Sequence, residues 1–556
     1  MDQLLTQRML ANAWYHHSTQ ALFNETCQRR AGHPAIVFDG TEITFGALKT
    51  RVDALSMGLM ALGVGRGDVV STLPSPTPEF AALYLATLQV GAVVNPLNLL
   101  WGVEELAGVL PRNNPRLIVT VDEYAGRDYL ALLHEALPDL ELGAQGARSA
   151  TVPALRRMVT VSRQGRRHTG LMDFDELAVE PTAGWRSRLD GRLAEARPTD
   201  IQFMCQTSGT TGLSKSALWD HRPPLATVNF GARNMGYTPE ERYMNLAPFY
   251  HNSGITALNL NLVYAGSTLI LMERFDPAEA LRLIERYRAT STFGFDAHFQ
   301  AMRREPSFDP ERFTIDKLML AGEPRTYDLV RSMCPAGATI NNLYAQTENG
   351  PLVSLGEHDC MDERLKKYTH GRPVPGVEVV IKDIDTGEPV PQGTAGEICY
   401  RSPFLFRGYH SQPEEVEKAF DDDGYFHSGD FGHLDAGYVT FLGRLGGVIK
   451  SGGENVSTVR VTNLLLERFP EAFDDVKALG VPDEYWGTML VAFVRPAEGH
   501  SLAPTRELRA QCKGHLADYE IPRAFLPWTD AWPTTPEGKI DFKRLQRDAE
   551  EQLKPA

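Results

Sequence analysis

Positive charge is in short supply in this chain. Its 56 Lys and Arg face 71 Asp and Glu, a formal net charge of −15 over 556 residues. That balance excludes a general nucleic-acid or anionic-membrane surface. Cysteine is equally sparse. Cys27, Cys205, Cys334, Cys360, Cys399 and Cys512 are scattered with no C-x-x-C. The pattern offers no disulfide framework or thiolate metal spacing, and it suits reduced thiols in a cytoplasm. The N-terminus is charged from Asp2 and lacks a long apolar core, so no signal peptide is expected. One uncharged run, 252–272, is long enough to span a bilayer. It carries Asn252, Asn259 and Asn261, two glycines and two serines, which make insertion costly, and it reads as a buried helix and strand. Internal repeats and low-complexity tracts are absent.

What is present is ordinary in bulk: 42% apolar and 23% charged residues, in a chain long enough for more than one domain. Ala35–Phe38, a helical pattern over Phe45–Leu62, Val69–Leu73 and a helical pattern over Glu79–Val90 alternate strand with helix. Such alternation predicts a largely parallel, doubly wound α/β sheet. Gly63, Gly65 and Gly67 stop the first helix but do not form G-x-G-x-x-G, and the Arg-Gly-Asp at 66–68 reads as a plain turn. Residues 140–170, rich in Gly, Ser, Ala and Arg without a period, read as a flexible surface excursion. From about 370 to 443 short strands such as 377–382 and 396–400 predict a small β-rich subdomain. Gly446-Gly447 and Gly452-Gly453 bracket a hinge, and a compact α+β unit follows. The expected domains are therefore 1–445 and 446–556.

The chemistry begins at Thr207-Ser208-Gly209-Thr210-Thr211-Gly212-Leu213-Ser214-Lys215. Glycines let backbone N–H groups approach an anion, hydroxyls add donors and Lys215 adds charge, so the loop suits a nucleoside triphosphate. A phosphotransferase P-loop needs glycine immediately before the lysine, and Ser214 stands there. A surface Ser/Thr/Gly turn is the alternative for the loop taken alone.

The loop resembles the phosphate loop of the acyl-adenylate-forming enzymes, in particular their acyl-CoA synthetase branch. The resemblance runs from about residue 20 to 545. Pro248-Phe249-Tyr250-His251-Asn252-Ser253-Gly254 is similar to the family's P-x-F-H-x-x-G segment, which implies that His251 borders the acyl pocket. Gly322-Glu323-Pro324 resembles the segment lining adenine. Asn342-Leu343-Tyr344-Ala345-Gln346-Thr347-Glu348 resembles N-x-Y-G-x-T-E, with Ala345 for glycine. The family then implies Tyr344 stacked on adenine, Thr347 at the α-phosphate and Glu348 holding Mg²⁺, a hard cation suited to carboxylate oxygen. Gly429-Asp430 and Gly443-Arg444 are similar to the segments that bind the ribose hydroxyls and the ribose-phosphate edge. Gly538-Lys539 resembles the C-terminal segment whose lysine spans the α-phosphate and the acyl oxygen. The implied cofactor set is ATP with Mg²⁺, and coenzyme A is the co-substrate.

Lys450, Gly452 and Gly453 match the stretch lining the pantetheine channel once the C-terminal domain has swung. The hinge position, usually Asp or Lys, is Gly446, followed by Gly447, and Thr458 and Arg460 replace the usual Pro and Glu. Flexible glycines either keep the hinge free or slow thioester formation, in which case acyl-AMP would pass to a partner enzyme. Peptide-synthetase domains carry Asp where Tyr250 stands, so an α-amino acid substrate is not expected. Tyr250, His251, Asn252, Phe295, Asp296 and Gly350 are the expected acyl-pocket residues, and aromatic walls with few polar groups suit a bulky hydrophobic or aryl acid.

Overall fold

The computed structural model describes residues 16–144, 146–207, 214–451, 454–483, 485–534 and 540–553. Strand formers bounded by turns build four main sheets. The largest has nine strands in the order Thr41–Thr44, Pro34–Phe38, Thr268–Ile270, Arg242–Asn245, Ser291–Phe295, Lys317–Ala321, Thr339–Ala345, Leu352–Leu355, Arg372–Pro373. Its six strands from Pro34–Phe38 to Thr339–Ala345 are parallel, and antiparallel strands close both edges.

The second sheet has seven strands, ordered Met172–Asp173, Arg157–Val161, Leu117–Val121, Val69–Leu73, Val93–Pro96, Ile201–Thr207, Lys215–Asp220. All its neighbours are parallel except the terminal hairpin of Ile201–Thr207 with Lys215–Asp220. One apolar cluster, including Phe45, Phe80, Tyr84, Phe203, Trp219 and Phe249, joins both sheets to the helices between them. The chain thus has the α/β architecture expected from its alternating pattern.

The helices show why the sequence stops where it does. Thr77 caps Pro78–Gln89 by accepting from the Phe80 amide, and Pro78 sits in the first turn, where its missing N–H costs nothing. The uncharged run is internal: Asn252–Leu258 continues as a π-helical stretch, Asn259–Ala265, and then the strand Thr268–Ile270. Tyr84 donates to the Asn259 side-chain oxygen, and Tyr237 and Ser267 both donate to that of Asn261, so the buried amide oxygens are partnered. Among the described residues no helix is long and apolar enough to cross a membrane.

One expectation fails. Residues 140–170 are not a loose excursion, because Arg157–Val161 is a sheet strand with Met158, Val159 and Thr160 buried. Its polar, glycine-rich flanks diluted a short Met-Val-Thr-Val run that only its pairing with Leu117–Val121 makes into core.

Glu378–Lys382, Gly396–Arg401, Phe426–Asp435 and Tyr438–Arg444 form a four-stranded antiparallel sheet. A single turn, Leu445–Gly447, follows, and Val448–Ser451 opens a five-stranded sheet packed by helices Thr458–Arg468 and Thr505–Cys512. The chain is therefore a large N-terminal part with two α/β sheets and a β subdomain, plus a small C-terminal α+β domain.

Gly254 fixes how the helix after His251 meets the preceding turn. A Cβ there would lie 2.3 Å from the Pro248 carbonyl oxygen. Gly254→Ala is expected to cost about 1–3 kcal/mol of stability, typical of overpacking. The check is the urea unfolding midpoint, and an unchanged midpoint would contradict the packing argument.

Candidate active site

A single cleft of about 2450 Å³ runs between the two large sheets, the β subdomain and the C-terminal domain. It exceeds a drug-sized pocket of about 300–1,000 Å³ several-fold, so it has room for a nucleotide and a second ligand.

One wall centres on Asp430, 2% exposed on the strand Phe426–Asp435. Its Oδ2 accepts from the Tyr344 hydroxyl at 2.6 Å and from Gln346 Nε2. Its Oδ1 faces Arg444 Nε at 3.0 Å but accepts no well-directed hydrogen bond, which leaves a buried acceptor open. Burial raises the carboxyl pKa to about 6, against the opposing pull of Arg444, Tyr344 and Gln346. Tyr344 has one ring face stacked on Phe441 at 5.8 Å.

Strand Thr339–Ala345 then delivers Thr347 and Glu348 on a one-turn helix. Thr347 Oγ1 accepts from Asn252 Nδ2 at 3.2 Å, and Glu348 Oε1 accepts from the Tyr409 hydroxyl at 2.7 Å. Glu348 is half-buried and holds no lysine or arginine among the described residues, so its carboxylate suits a hard divalent cation.

Gly322, Glu323 and Pro324 join the strand Lys317–Ala321 to the helix Pro324–Met333. Asn342 braces this segment, accepting from the Gly322 amide at 3.3 Å and donating to its carbonyl at 2.8 Å. Glu323 accepts from Asn463 of the C-terminal domain at 2.6 Å, and burial raises its pKa to about 7.

At the phosphate corner, Thr207 pairs with Lys215 across the terminal hairpin. Ser208, Gly209, Thr210, Thr211 and Gly212 lie outside the described residues. The hairpin is pinned by a buried polar chain: Ser216 donates toward Asn113 and Gln206, Gln206 to Asn95, and Asn95 to Ser71. Lys215 Nζ meets Glu415 at 2.5 Å and sits over the Tyr409 ring at 4.9 Å. Glu415 was not expected from the motifs. Hydrogen bonds from Lys215 and Lys418 hold its pKa down to about 2, so it is an anion competing for the loop lysine.

The acyl side combines Tyr250, His251, Asn252 and Phe295. His251 caps the helix Asn252–Leu258 by accepting from the Ser253 amide at 3.3 Å. Its ring opens onto the cleft but is walled by protein, and this desolvation lowers its pKa and keeps it neutral near pH 7. Phe295 meets it edge-on at 6.2 Å, and Val228, Gly231, Leu260 and Met319 continue an apolar recess. Asp296 lies on the cleft wall, but its carboxylate is already taken by the Thr326 hydroxyl at 2.6 Å and by Gln300 at 2.5 Å. Gly350 stands behind Pro351 rather than on the surface. Its φ is +76°, and a Cβ would meet the Pro223 side chain at 2.4 Å.

The C-terminal domain contributes Thr462, Asn463, Asp475 and Lys477 to the opposite wall. Lys539 lies outside the described residues. The chain just before it is anchored to that wall, since Trp532 Nε1 donates to Asp475 at 2.7 Å. Lys450 is not brought to the cleft: it is exposed and ion-paired to Asp385 at 2.7 Å, while Gly452 and Gly453 lie outside the described residues.

Comparison with known proteins places these elements. The family model "AMP-binding enzyme" matches residues 23–410, and "AMP-binding enzyme C-terminal domain" matches 470–539. A feruloyl-CoA synthase from Amycolatopsis sp is 30% identical, covering 91% of this chain and 94% of its own. The mitochondrial medium-chain acyl-CoA ligase ACSF2 of Bos taurus is 27% identical, covering 95% and 87% respectively. The amide bond synthetase McbA from Marinactinospora thermotolerans shares the fold, with TM-score 0.79 at 24% identity over 96% of this chain and 99% of that one. With a family model spanning most of its length and AMP-forming acyl-CoA ligases as homologues, the chain belongs to the AMP-binding enzyme family.

Proposed function

We propose that this chain activates a bulky hydrophobic or aryl carboxylic acid with ATP to acyl-AMP, releasing pyrophosphate, and then forms the CoA thioester. The observation that carries the reading is the continuity of one cleft, from the open acceptor on Asp430, past Thr347 and Glu348, to the recess of His251 and Phe295. The relatives' named acids, feruloyl and medium-chain acyl, bracket aryl and aliphatic substrates, in keeping with an apolar recess.

In this reading Asp430 accepts both ribose hydroxyls, Arg444 steadies the ribose-phosphate edge, and Gly322, Glu323, Pro324 and Tyr344 flank adenine with Asn342 bracing them. A carboxylate oxygen of the acid attacks the α-phosphorus, and the bond to pyrophosphate breaks. The CoA sulfur then attacks the acyl carbon and AMP leaves. Thr347 donates to the α-phosphate, and Lys539 offsets the charge that grows on it. Glu348 would hold Mg²⁺, which supplies charge neutralisation of the triphosphate when bound. Neutral His251 offers the carboxylate a hydrogen bond without pairing its charge. Lys450, Gly452 and Gly453 would line the pantetheine path after rotation about 446–447, with the domain boundary at 445/446.

A second reading, delivery of acyl-AMP to a partner enzyme, is favoured by one feature. Gly446 has no side chain to hold either orientation, and a Cβ there meets nothing within 4 Å. An introduced side chain is therefore sterically free.

Products separate these readings from phosphotransfer: AMP with acyl-CoA, AMP-bearing acyl adenylate alone, or ADP. Lys539→Ala is expected to lower adenylate formation by about 10²–10³-fold, as for loss of one transition-state donor, while ATP binding stays measurable. A near wild-type rate in that variant would sink the assignment. If glycine slows the hinge, Gly446→Asp speeds acyl-CoA formation without changing adenylate formation, and an unchanged rate refutes that idea. The Asp430 carboxylate must be ionised to accept both hydroxyls, so AMP affinity should fall as pH drops through about 6. Folding stability runs the other way: the raised pKa contributes stability below about 3.9 that is lost as pH rises through about 6. Titration calorimetry of AMP on either side of that pH is the check, and a flat affinity would count against Asp430 as the ribose acceptor.

A further inference from the structure

Arg112 stands at the phosphate corner without an anionic partner. It ends the helix Val103–Asn113, whose Leu106, Val109, Leu110 and Asn113 are buried, and its guanidinium lines the cleft. The guanidinium donates through Nη2 to the carbonyl of Ser214, the residue between the glycine-rich loop and Lys215. Its Nε is buried and has no hydrogen-bond partner among the described residues. No carboxylate pairs with it among those residues, and the undescribed loop residues 208–213 contain no acid that could. At this corner Lys215 is matched by Glu415, and elsewhere in the cleft Arg444 is matched by Asp430 and Arg495 by Asp474, whereas Arg303, Arg304 and Arg325 have no ion pair among the described residues and do not contact the root of the loop.

A half-buried, unpaired guanidinium carries a desolvation cost that an arriving anion can offset. Burial lowers its pKa somewhat, but arginine stays protonated near pH 7. Its neighbour His410 is pushed toward the neutral form by burial, against the opposing effect of a hydrogen bond to the Arg112 backbone, so it does not compete for the anion as a cation. The helix C-terminus favours a cation there, which explains the charge but not its exposure to the cleft beside the loop root. A planar fork suits two oxygens of a phosphate.

We infer that Arg112 binds the terminal phosphates of ATP and the pyrophosphate product, as a contact additional to the loop and Lys215. The inference rests on the adenylation reading above.

The test measures binding of MgATP, AMP and inorganic pyrophosphate to wild type, Arg112→Gln and Arg112→Lys by calorimetry. Expected for Arg112→Gln is a loss of about tenfold, ~1.4 kcal/mol, in MgATP and pyrophosphate affinity with AMP unchanged. Arg112→Lys should recover part of it. Equal losses for MgATP and AMP would mean that Arg112 only props the loop, and three unchanged affinities would remove any role; either overturns the inference. A wild type that binds neither nucleotide instead refutes the adenylation reading, and this inference falls with it.

Discussion

A buried carboxyl holds the site together. Asp430 sits on the four-stranded sheet, yet its hydrogen-bond donors, Tyr344 and Gln346, come from the end of the nine-stranded sheet. Gln346 also donates to the Ser428 carbonyl and accepts from Tyr400, so one amide stitches three strands. Burying such a group costs several kcal/mol unless its lone pairs are engaged. Arg444, one strand away and just before the Leu445–Gly447 turn, supplies the opposing charge. The β subdomain is thereby docked against the main sheet at the point where the proposed nucleotide would rest, and one acceptor is left unused.

The C-terminal domain is held by a different kind of contact. Asn463 to Glu323, Lys450 to Asp385 and the Ser457 hydroxyl to the Leu442 carbonyl are polar links between the C-terminal domain and the rest among the described residues. The second is exposed, and exposed pairs are worth at most about 1 kcal/mol. On the proposed function, weak polar latches beside a Gly-Gly turn would let the C-terminal domain reorient. In the orientation described, Asp475 and Lys477 face the cleft and Lys450 faces away. On the proposed reaction, thioester formation would follow a rotation that brings Lys450 to the cleft.

Charges in the cleft are mostly paired with one another. Lys215 is countered by Glu415, so on the proposed function a phosphate at the hairpin would displace one anion with another. Net affinity there depends on what else is positive, and this gives Arg112 its interest. The wall around His251 has the opposite character. Burial keeps His251 neutral, Asp296 is tied to Thr326 and Gln300, and the recess beyond is apolar, so on the proposed function selection there would rest on shape.

Much of the architecture was legible in the chain itself. Alternating strand and helix patterns predict the doubly wound sheets because period and capping residues act within a dozen positions. The motifs around His251, Glu348, Asp430 and Arg444 are legible because each resembles a short family segment. The structure converges these four on one cleft. Arg157–Val161 escaped notice because a five-residue strand becomes recognisable only beside Leu117–Val121. Glu415, Tyr409 and Phe441 escaped for a related reason: their partners, Lys215, Glu348 and Tyr344, lie 200, 61 and 97 residues away. Local sequence determines which backbone shapes and reactive groups exist. Which charge meets which, which carboxylate is spent on a neighbour, and which acceptor stays open are decided by packing between distant segments, because burial sets the energy of each polar group.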